Sequence, residues 1–92
     1  MSLASVVFDA SVPWLLSSEV SLRDESFGAL AYHHGNRRLV FLKSRELAEI
    51  VSRLGEFESA DQAIDAVVSS AQHARYVSAL ASLMSSGIVR GR

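Results

Sequence analysis

The most constraining feature of this sequence is Leu39-Val40-Phe41-Leu42, four consecutive apolar residues between a Gly35-Asn36 turn signal and a Ser44 helix cap. An antiparallel strand with one face in water alternates apolar and polar residues. A strand that is apolar at every position calls for a cover on both faces. Nothing earlier in the chain is an obvious cover for the second face, and the search for function starts from what that cover is.

Two strands precede this one. Val20-Ser21-Leu22-Arg23 alternates, Asp24-Glu25-Ser26 reads as a polar turn, and Phe27 to His33 reads as the second strand. Gly35-Asn36 between apolar runs predicts a tight two-residue hairpin, because both residues tolerate positive φ. That turn places Tyr32 opposite Leu39 and Leu30 opposite Phe41. Leu30, Tyr32, Leu39 and Phe41 then share one bulky face, expected to meet the helices. Ala29, Ala31 and His33 share the other with Leu42, Val40 and Arg38.

Three helices follow. Ser44 is an N-cap with Glu46 in the first turn, and Leu47, Ile50, Val51 and Leu54 recur at helical spacing before Gly55. Ser59-Ala60-Asp61-Gln62 has the form of a capping box and opens a second helix. A third runs from about His73 to Ser86 and stops at Gly87, after which Ile88 and Val89 fold back on the core. The order β-β-β-α-α-α in one unit predicts an α+β layer fold, and the short helices also allow a winged helix-turn-helix arrangement. Residues 1–18 form an N-terminal arm and residues 19–92 the domain. Within the arm, Val6, Val7 and Phe8 form a candidate short strand. The Trp14-Leu15-Leu16 cluster is expected to pack on the domain or across a homodimer.

Composition excludes more than it assigns. Ninety-two residues fit one domain with one modest core. With no cysteine there is no disulfide framework or thiolate metal site, and the chain is compatible with a reducing cytoplasm. No apolar run is long enough to span a membrane, and a net charge of −1 gives no general pull toward nucleic acid. His33 and His34, adjacent on a strand, point to opposite faces and do not share a metal. They and His73 are read as exposed. Serines lack a nucleophile turn or a nearby base, and the glycines form no phosphate loop. The sequence therefore predicts neither an enzyme nor a bound cofactor or metal.

Charge is unevenly placed. Arg37, Arg38, Lys43 and Arg45 cluster with no acid among them, whereas Glu46 to Asp65 holds six acids and one base. A basic rim around the third strand favours an acidic partner. The last strand of a three-stranded meander has one open edge, which can accept an extended peptide by strand addition. The residues in position to do so are Arg38, Leu39, Val40, Phe41 and Leu42 on the strand. Tyr76, Leu80, Leu83 and Met84 on the third helix supply a second wall. The alternative is a small winged-helix DNA-binding protein. Against it, the second helix carries Asp61 and Asp65, and the third is almost free of charge.

Arg23 to Ser44, R-D-E-S-F-G-A-L-A-Y-H-H-G-N-R-R-L-V-F-L-K-S, strongly resembles a family signature. That signature is R-P-x-x-F-G-A-L-x-Y-x-x-G-x-R-R-L-x-F-L-K-S, of the mycofactocin precursor-peptide chaperones, which fall in the PqqD-like, or RiPP recognition element, class. The likeness extends more loosely to Ser86-Gly87-Ile88-Val89. Asp24 and Ser26 stand where proline or another residue is expected, departures in the turn after the first strand rather than in the cleft. The resemblance implies a non-catalytic protein that binds the leader of a ribosomally made precursor peptide. It also implies that the leader lies as an extra strand between the third strand and the third helix. A radical SAM maturase is the implied partner that receives the peptide.

Overall fold

The computed structural model describes residues 7–92. Their strands are β1 (Trp14–Leu16), β2 (Val20–Glu25), β3 (Gly28–His33), β4 (Leu39–Leu42) and β5 (Val89–Gly91). The α-helices are α1 (Arg45–Arg53), α2 (Ala60–Val67) and α3 (His73–Ser85). The fold is α+β: β2, β3 and β4 form a three-stranded antiparallel sheet in that order, and the three helices follow it in sequence.

The strand β4 is the all-apolar strand predicted from sequence, and its register is the predicted one. Tyr32 pairs with Leu39 and Leu30 with Phe41. The turn that delivers this register is different. His33 N donates to Arg38 O at 2.9 Å and Arg37 N to His33 O at 2.8 Å, so four residues, His34 to Arg37, form the loop. Its positive φ of 64° falls on Arg37, not on Gly35 or Asn36. Two- and four-residue loops centred on the same point leave the pairing unchanged. Gly35 is required for space: a Cβ there would lie 2.8 Å from His33 Cε1.

The two faces are reversed from expectation. Ala29, Ala31, His33 and Leu42 are buried against the helices, whereas Leu39 and Phe41 are 55% and 56% exposed on the far side. Small side chains on β3 let α1 approach the sheet closely, and close packing there outweighs bulk. His33 is also corrected from exposed to buried. Its Nδ1 accepts Gly35 N at 3.0 Å and Asn36 N at 3.1 Å, so the ring organises the turn.

The strand β2 runs two residues further than predicted, with Asp24 opposite Ala29 and Glu25 opposite Gly28. The proline-to-aspartate departure thus sits inside a strand. Gly28 has φ +152° because β3 starts hard against the end of β4. A Cβ there would collide with Leu42 O and lie 2.7 Å from Ser44 O.

The caps follow the sequence closely. Ser44 Oγ accepts Leu47 N at 3.0 Å and Ser59 Oγ accepts Gln62 N at 3.1 Å. Gln62 reaches back to Glu58 N at 3.1 Å, one residue before the cap whose amide a full capping box would bind. The helix α3 ends in a Schellman motif: Gly87 at φ 78° donates to Met84 O, and Ile88 N donates to Leu83 O at 2.9 Å.

Trp14-Leu15-Leu16 form β1, which pairs antiparallel with β5, Leu16 opposite Val89. Trp14 is buried in its own chain, stacked at 4.6 Å on Phe8, with Nε1 donating to Asp9 O. Val7 and Phe8 are not in a strand, and Val6 lies outside the described residues.

Candidate functional site

The outer strand β4 has a partner on one side only. In an antiparallel ladder, residues that bond to the neighbouring strand alternate with residues whose N–H and C=O point away from it. The His33–Arg38 bond sets the phase, so Val40 and Leu42 bond inward to Ala31 and Ala29. Leu39 and Phe41 therefore present their backbone groups to the open edge.

The helix α3 is tied to the chain on either side of β4. Asn36 Nδ2 donates to Ser86 O at 3.2 Å, joining the hairpin tip to the C-terminal end of α3. At the other end Tyr76 Oη lies 3.4 Å from Ser44 Oγ, just past β4. Between the end of β4 and the first turns of α3 is a cavity of about 160 Å³, lined by Lys43, Ser44, Leu47, Arg75, Tyr76 and Ala79. Two cations and no acid line it.

The predicted site residues separate into surface and support. Arg38, Leu39 and Phe41 are exposed, and Val40 and Met84 are half-buried. Leu42, Tyr76, Leu80 and Leu83 are buried and belong to the core cluster. They are core residues rather than open surface. Sequence inspection missed Lys43, Ser44, Leu47, Arg75 and Ala79 as cavity residues. The signal was there for the helix pair, because Ala79 stands four residues after Arg75 and three after Tyr76.

The start of α3 is fixed by His73, at the end of a 3₁₀ turn over Ser70–Gln72. Its Nδ1 lies 2.8 Å from Asp65 Oδ1 and its Nε2 2.7 Å from Asp61 Oδ1, both on α2. Hydrogen bonds to Asp65 first and Asp61 second raise its pKa above the ordinary histidine value. The clamp therefore holds α3 against α2 two residues before Arg75. Among the described residues no group of three or more His, Cys, Asp or Glu is placed to hold a metal ion. No helix among them is long and apolar enough to cross a membrane.

The outer face of the sheet carries a second apolar group. Phe27 is 42% exposed and its ring lies 5.8 Å from that of Phe41. With Leu39 these residues form a patch continuous with the open edge of β4.

Residues 13–90 match the model of the Peptide chaperone MftB family. A protein of Mycolicibacterium smegmatis named peptide chaperone MftB is 41% identical over 85 residues, covering 91% of this chain and 83% of that one. A protein of the same name from Mycobacterium ulcerans is 40% identical over 80 residues, covering 86% and 73%. One from Mycobacterium tuberculosis is 44% identical over 50 residues, covering 54% and 46%. No solved structure matches the chain. The family match runs from β1 through the sheet and all three helices into β5, and the chain belongs to the peptide chaperone MftB family.

Proposed function

We propose that this chain, as a non-catalytic peptide chaperone of mycofactocin biosynthesis, takes up the leader of a ribosomally made precursor peptide by strand addition on β4. The observation that carries this reading is the unpaired edge at Leu39 and Phe41, with α3 tied to the chain just before and just after β4. Backbone groups there supply affinity without regard to peptide sequence, and side chains on either face supply selectivity. Alternate peptide side chains would face outward, beside Leu39, Phe41 and Phe27. The others would face the cleft, over Val40 and Met84, with Tyr76, Leu80 and Leu83 holding the helix behind. Lys43, Arg75 and Arg38 favour a peptide with acidic residues.

The domain is read as a PqqD-like winged helix occupying residues 19–92, which hands the bound peptide to a radical SAM maturase. Titration of the precursor peptide into wild type and into Phe41→Pro tests the site. Saturable binding by wild type and its loss in a folded Phe41→Pro protein support strand addition. Equal affinity in both sinks it. Binding of duplex DNA with steep salt dependence and no peptide binding would replace the chaperone reading by the DNA-binding one.

A further inference from the structure

The sheet has a second open edge. His34 N donates to Glu19 O at 2.8 Å, which sets the phase of the β2–β3 ladder. Ser21 and Arg23 therefore bond inward, while Leu22 and Asp24 turn their N–H and C=O away from β3. No strand pairs with that side of β2 among the described residues.

Beside this edge lies the larger of the two cavities described here, about 500 Å³, between β2 and α1. Leu22, Ala29 and Ala48 give it an apolar floor. Asp24, Glu25 and Glu49 stand on its rim against a single base, Arg45. Glu25 pairs with Arg23 at 2.8 Å and Glu49 with Arg53 at 2.9 Å, and neither arginine lines the cavity. All of these ion-paired side chains are partly in solvent, where such pairs are weak and readily exchanged. The β4 cavity is lined by Lys43 and Arg75 with no acid. The cavity beside β2 and the one just past the end of β4 thus have opposite lining charge, and one ligand does not suit both.

We propose that the β2 edge with α1 is the docking groove for the peptide-modifying partner enzyme. The enzyme would contribute an extended segment that adds to β2, with a lysine or arginine directed at Asp24 and Glu49. The proposal rests on the chaperone reading for the existence of that partner. It uses a surface separate from the β4 cleft. Strands in a sheet lie about 4.8 Å apart, so the enzyme's segment and a peptide on β4 would be about 19 Å apart, on opposite edges. Both can be held at once, and the chaperone then bridges them.

The test measures two affinities on the full chain, one for the precursor peptide and one for a radical SAM maturase of mycofactocin biosynthesis. Asp24→Lys combined with Glu49→Lys reverses charge at two exposed positions. It is expected to weaken maturase binding by about tenfold or more, as for charge reversal at an interface. Peptide affinity should stay within about twofold, which also reports an intact fold. Leu22→Pro, removing an outward amide, should give the same pattern, and Phe41→Pro the opposite one. Maturase affinity at the wild-type level in the charge-reversed variant overturns the docking groove and leaves the peptide reading standing. Failure of wild type to bind peptide overturns the chaperone reading by a separate measurement. Failure of wild type to bind the maturase removes both the handover and the groove.

Discussion

The hydroxyl of Ser44 caps α1 through Leu47 N and lies 3.4 Å from Tyr76 Oη, so one side chain joins β4, α1 and α3. Ser44→Ala removes the cap and the link together. It should lower stability by about 0.5–2 kcal/mol, the range for cap loss. Tyr76→Phe removes only the longer contact and should cost at most about 1 kcal/mol. Urea denaturation of the two variants checks the ranking, and a larger loss in Tyr76→Phe would contradict it.

The phase of the β4 ladder makes two neighbouring prolines behave differently. Val40 bonds inward, so Val40→Pro breaks a ladder bond and should disrupt the β3–β4 hairpin. Phe41 points outward, so Phe41→Pro should leave a folded protein with little or no affinity for the precursor peptide. Circular dichroism melts and a peptide titration on both variants are sufficient. A well-folded Val40→Pro protein would show that the phase is wrong.

Core and surface members of the proposed cleft should separate on truncation. Leu80 is fully buried, and Leu80→Ala should reduce stability by about 2–5 kcal/mol through the cavity it leaves. Leu39→Ala changes a residue that is 55% exposed and should stay within about 0.5 kcal/mol of wild type. Under the strand-addition reading Leu39→Ala nonetheless weakens peptide binding, because its side chain borders the added strand. Paired melting and binding measurements check both halves.

The His73 clamp predicts a pH dependence with a defined sign. Asp65 and Asp61 raise the folded-state pKa above the unfolded value of 6.5. The stabilisation is therefore complete below the unfolded value and is lost as pH rises through the folded one. Stability measured by denaturant across that window should fall with rising pH. The fall should shrink in Asp65→Asn and almost vanish when Asp61→Asn is added. A slope unchanged in the double variant would place the titration elsewhere.

Much of this architecture is set locally. Ser44, Ser59 and Gly87 mark helix ends through bonds made within a few residues, and all three act as the sequence indicates. The β3–β4 register was legible because any loop centred on Gly35-Asn36 gives the same pairs. Alternation also showed which side chains share a face. It could not show which face the helices would take, since that depends on how near α1 can come. Ala29 and Ala31 allow a close approach, and this leaves Leu39 and Phe41 outside. The β1–β5 pair and the cavities beside β2 and β4 were likewise decided only in three dimensions. Trp14 pairs with Gly91, and Arg75 and Lys43 come to line one cavity, by bringing together segments far apart in the chain, for which no local period exists.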